Sequence, residues 1–179
     1  MDGTIERTRR GAVHEACASG GSVRRRGWAV LGAGLVLLAG CGAGQEPVPA
    51  EEAVAHYDAV AGAVLDELAG PEWTLQENQR TVREGDEGCR YSPGVWNADA
   101  VLDGVSGAEG WDELTERLDP VLAEHGFGAL GDPERSGAIH SVSAHDQHGA
   151  ELVLDEQGRL SLRGALVDAE PCTAEALGL

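Results

Sequence analysis

Lysine is absent from this chain, so all 13 basic residues are Arg. That bias fits a high-GC genome and has no direct structural meaning. Phe and Met occur once each, so the core must rest on aliphatic side chains and on Trp73, Trp96, Trp111 and Tyr91, whose polar atoms each need a partner when buried. No Gly-x-Ser-x-Gly elbow presents Ser136, Ser141, Ser143 or Ser161 as a nucleophile, and no glycine loop is built to cradle phosphate. Gly104, Gly107 and Gly110 read as a linker. No CxxC or Cys-His spacing marks a metal pair, and no internal repeat is present. These absences leave no catalytic or cofactor constellation, so the sequence predicts neither an enzyme nor a bound cofactor.

Charge is unevenly placed. From Cys41 onward seven of the 13 Arg face 28 of the 31 acids. A region that acidic repels phosphate backbones, which argues against nucleic-acid binding. So many acids make paired carboxylates uninformative, and they read as a solvated surface.

The N-terminal region carries the strongest signal. Arg24, Arg25 and Arg26 precede an uncharged run over 27–38, which has the length of a signal-peptide core and is too short to span a bilayer as a helix. Leu38, Ala39, Gly40 and Cys41 follow at once and resemble a bacterial lipobox. The Arg cluster is held on the cytoplasmic side by the cost of moving charge through hydrocarbon. Ala39 and Gly40 are small enough to enter a peptidase cleft. The Cys41 thiol can take a diacylglycerol thioether and become the mature N-terminus, and two acyl chains suffice for stable anchoring. The Arg pair also admits twin-arginine export, although its surroundings match that signal poorly. Residues 1–22 add nothing to a signal, and Val23 could be the true start, encoded by GUG. The expected organisation is a removed segment 1–40, a lipidated flexible tether 41–50, and one domain 51–179.

With Cys41 given to lipid and Cys17 removed, Cys89 and Cys172 remain. An oxidising compartment makes a disulfide between them the default.

Along the domain, Val54, Tyr57, Ala61, Val64, Leu65 and Leu68 form one apolar stripe and predict a helix over 51–69, ended by Gly70-Pro71. Residues 72–105 read as extended: strands at 73–75, 79–83 and 89–91, a turn at Ser92-Pro93-Gly94, and another strand from Val95. Trp111, Leu114, Leu118, Val121 and Leu122 predict a second helix over 110–125, kinked or restarted at Asp119-Pro120. Residues 138–168 predict a three-stranded meander with turns at 147–149 and 156–158, and the residues after Cys172 read as a tail. The expected class is α+β: two helices on one face of a mostly antiparallel sheet that ends in the meander.

The nearest approach to a site is His140, His145, Asp146 and His148. Converging histidines could hold Zn or Cu. On a strand, however, His140 and Asp146 point to one face and His145 to the other, which favours a solvated polar hairpin.

The pattern as a whole resembles the LppA-like lipoproteins of high-GC Gram-positive bacteria. The resemblance rests on Cys41, the helix with Tyr57, and Trp73 after Gly70-Pro71. Further points are Gly88-Cys89, Trp111, His125-Gly126-Phe127, and the strand pair ending in Cys172. It implies a small surface lipoprotein with a Cys89–Cys172 pair and supplies no catalytic residue. Pro171 replaces the small residue usual before the last Cys. The expected function is therefore a lipid-anchored, extracytoplasmic, non-catalytic binding module. It would be partnered by the membrane through Cys41 and by a protein or small molecule the sequence does not name. The alternative is a metal- or small-molecule-handling protein using His140, His145 and His148.

Overall fold

A computed structural model describes residues 45–105 and 107–179. The expected signal region and the expected lipobox residues Leu38, Ala39, Gly40 and Cys41 lie outside the described residues.

The α+β class holds: among the described residues, two helices and ten strands, nearly all antiparallel, surround one continuous core. Strand β1 (Val48–Pro49) leads directly into helix α1 (Ala50–Glu67). Glu51 and Glu52 occupy the first turn of α1, where the helix dipole favours acids. Its apolar stripe buries Ala53, Tyr57, Val60, Ala61 and Val64. Strand β2 (Trp73–Leu75) follows, then a 3-10 turn at Glu77–Gln79, which displaces the second expected strand to β3 (Thr81–Gly85). Next come β4 (Gly88–Ser92) and β5 (Gly94–Ala98).

Helix α2 (Gly107–Glu124) runs unbroken through Pro120. Asp119 caps no new segment, because its carboxylate accepts the Leu130 N–H at 2.9 Å. Leu114, Leu118 and Leu122 form the buried stripe of α2. Strand β6 (Glu134–Ser136) then leads into the expected meander of β7 (Ile139–His145), β8 (Glu151–Asp155) and β9 (Arg159–Arg163), and β10 (Ala165–Asp168) follows.

The strands divide between two sheets where the sequence predicted one. One sheet has the order β1-β10-β4-β3 and the other β2-β5-β9-β8-β7-β6. The division falls inside two long strands. Tyr91 pairs with Ala165 in the first sheet and Gly94 with Leu162 in the second, a single unbroken antiparallel register. Both strands bend at the same level, one at Ser92-Pro93 and the other at Gly164. Pro93 has no N–H to give a ladder, and Gly164 takes a φ of +79° that other residues resist. The Arg80 guanidinium holds the bend by donating to the Pro93 carbonyl at 2.9 Å while pairing with Asp58 of α1. The expected turn at 92–94 is thus a corner that carries the chain from one sheet to the other.

Tyr57, Tyr91, Trp96, Trp111 and Phe127 are buried, so the aromatics build the core. The C-terminal residues are no loose tail. Leu177, in a 3-10 turn at Glu175–Leu177, is buried in that core.

Candidate functional site

The Cys89 and Cys172 sulfurs are bonded, with Cα atoms 5.4 Å apart. Cys89 lies on β4, and Cys172 follows β10 after a turn through Pro171. The bond fastens the C-terminal segment to the sheet at one end of the β4–β10 pair. Beside it lies an open groove of about 650 Å³ with Glu84, Glu87, Asp168 and Glu170 on its walls.

The predicted histidine hairpin does not gather. His140 and His145 stand five residues apart on β7 and on opposite faces, a separation of roughly 16 Å along the strand. His140 Nδ1 meets Glu156 Oε2 at 3.1 Å, whereas His145 lies opposite Glu151 at the far end. The His148 ring is turned away to the Glu46 carbonyl. Among the described residues, no group of three or more His, Cys, Asp or Glu is placed to hold a metal ion. The strand's twofold alternation, read already from the sequence, sets His140 and His145 on opposite faces.

Asp146 has a different part. Its Oδ1 accepts the backbone N–H groups of His148 and Ala150 at 2.9 and 2.7 Å, which shapes the β7–β8 turn. Its Oδ2 accepts the Tyr57 hydroxyl at 2.8 Å, which ties that turn to α1. Burial, then the charge and hydrogen bond of Asp146, push the Tyr57 hydroxyl far above its ordinary pKa. His56 packs beside this pair, its ring 4.8 Å from that of Tyr57 and 6.3 Å from that of His148. Burial holds His56 below the usual histidine value against the opposing pull of Asp146. Its Nε2 is buried without a hydrogen-bond partner among the described residues, as is the Tyr91 hydroxyl. The His56 cluster joins residues about 90 positions apart, so no local motif announced it.

The domain's hold on its N-terminal segment begins earlier than expected. Val48 is buried and pairs in parallel with Val167 of β10. Gln45 Oε1 accepts from Arg90 Nη1 at 3.0 Å, and the Glu46 carbonyl meets His148. Arg90 also donates to the Gly164 carbonyl at 2.9 Å and pairs with Glu87.

No protein-family model matches the chain, and no curated protein matches it. Among solved structures it has a distant likeness to a Mycobacterium tuberculosis protein described as lipoprotein LppA. The two are 16% identical, over 73% of this chain and 82% of that one, with a TM-score of 0.49.

Proposed function

We propose that this protein is a lipoprotein of the bacterial cell envelope, anchored through lipid on Cys41 at the extracytoplasmic face of the plasma membrane, and that its domain acts by binding rather than by catalysis. The observation that carries this reading is the uninterrupted order of Arg24–Arg26, the uncharged run 27–38 and Leu38-Ala39-Gly40-Cys41. The Arg cluster is retained, the apolar run inserts, the small residues admit cleavage, and the thiol is acylated. A disulfide in the domain accords with export to an oxidising compartment. The binding role is supported by the way titratable groups are used. His140, Asp146 and Arg80 are each engaged in holding a turn or a corner, and none is paired with a nucleophile.

Mass spectrometry of the mature protein tests the anchor. The expected N-terminal peptide begins at Cys41 and carries a diacylglyceryl mass on its sulfur. A mature chain that begins elsewhere, or bears an unmodified Cys41, contradicts the reading.

A further inference from the structure

The Cys89–Cys172 bond faces an open groove. Both residues line that groove of about 650 Å³, and Cys172 is half-buried where Cys89 is nearly covered. The walls carry charge of one sign. Glu84, Glu87, Asp168 and Glu170 line the groove, and among the described residues no Arg or His does. Glu87 is neutralised by Arg90. Glu84, Asp168 and Glu170 make no ion pair among the described residues.

Strand register sets one of these carboxylates beside the bond. Glu84 on β3 stands directly opposite Cys89 on β4, so the two side chains share a face with Cβ atoms about 5 Å apart. On the other side of Cys89, its partner on β10 is Val167, and Asp168 follows at the end of that strand. Glu170 lies two residues before Cys172.

Thiol–disulfide exchange begins with attack by a thiolate anion. The sulfur within reach is that of Cys172, the more exposed of the two. Attack there forms a mixed disulfide on Cys172 and releases Cys89 as a thiolate. A second thiolate then attacks the outer sulfur of the mixed disulfide. Cys172 leaves, the two attacking thiols are joined as a disulfide, and two electrons have passed to the protein. Each released thiolate takes a proton from water. Both anions of the first step face carboxylates: the incoming thiolate along the groove walls, and the departing Cys89 thiolate opposite Glu84.

We propose that the groove is a charge filter on the Cys89–Cys172 bond: its carboxylates turn away anionic thiols and favour an exchange partner whose thiol is carried with positive charge. A carboxylate roughly 8 Å from a unit charge in water changes a rate by about twofold. A thiolate that bears an ammonium group and one that bears a sulfonate differ by two units of charge. Against three carboxylates, and with screening by salt, the discrimination between them is about tenfold at low ionic strength. The filter needs no lipid on Cys41 and stands or falls apart from the anchor.

The experiment uses the chain from residue 41 with Cys41→Ser, so that Cys89 and Cys172 are its only cysteines. Cysteamine, mercaptoethanol and mercaptoethanesulfonate are each added in excess, and loss of the cystine is followed by alkylation and mass spectrometry. Each rate is divided by that of the same thiol on a small uncharged disulfide, which removes differences in thiol acidity and nucleophilicity. The normalised rates should fall in the order cysteamine, mercaptoethanol, mercaptoethanesulfonate, with about tenfold between first and last. In about 1 M salt, where charges are screened beyond about 3 Å, the three should converge. Glu84→Gln, Asp168→Asn and Glu170→Gln together should make them converge at low salt. Should that triple variant not fold, Glu84→Gln alone should narrow the spread by about twofold. Equal normalised rates on the wild-type groove overturn the proposal, as does a spread that survives salt or the loss of these carboxylates. A rate that stops rising with thiol concentration also overturns it, because the bond is then reached only by unfolding.

Discussion

The Tyr57 hydroxyl donates to Asp146 Oδ2 at 2.8 Å, which links the middle of α1 to the β7–β8 turn across 89 residues of sequence. The same carboxylate holds two backbone N–H groups of the turn. Replacing it strands all three donors, whereas replacing the hydroxyl strands none of the backbone ones. Asp146→Ala is therefore expected to cost about 3 kcal/mol and Tyr57→Phe about 1 kcal/mol. Urea denaturation of the two single variants and the double variant measures both, and the double should lose less than the sum.

The Tyr91 hydroxyl is fully buried with no partner among the described residues. Burial is the main reason its pKa is pushed up to about 12. A polar group left unmatched in a core costs stability, and removing it while keeping the ring relieves that cost. Tyr91→Phe is expected to match or exceed the wild type by about 1 kcal/mol, readable as an equal or higher Tm.

His56 titrates lower in the folded chain than in the unfolded one, because burial disfavours its charged form. The unfolded state then binds the extra proton first. The stability owed to neutral His56 is complete above the ordinary value of 6.5 and is lost as pH falls through the lower folded value. Thermal melts taken from neutral toward acid should fall more steeply for the wild type than for His56→Gln. Parallel profiles would show that this ring is not responsible.

The Cys89–Cys172 bond spans 83 positions. In the chain-entropy view, closing a loop of that size stabilises the fold by about 4–5 kcal/mol, with strain able only to reduce it. Cys89→Ser, Cys172→Ser and the double variant should lose the same amount, because each removes the one cross-link. Melting temperatures compared with those of the reduced wild type check it.

What the sequence revealed depended on range. Helix α1 was legible because Tyr57, Ala61 and Val64 recur at helical spacing within a few turns. The β7–β8–β9 meander was legible because Leu152, Leu154, Leu160 and Leu162 alternate around a short glycine turn. The corner was not legible, because Pro93 and Gly164 read as ordinary turn residues until their strands are paired. The parallel strand at Val48 and the burial of Leu177 depend on surfaces made by distant segments. The opposite facing of His140 and His145 was legible from strand alternation, whereas the contact of His148 with the Glu46 carbonyl joins residues 102 positions apart and gave no local signal.

The proposed role at the envelope depends on lipid at Cys41, and metabolic labelling with palmitate tests it most directly in cells that express the full chain. Label is predicted on the wild-type polypeptide in the membrane fraction and none on Cys41→Ser. An unlabelled wild type, or label retained after that substitution, would contradict it.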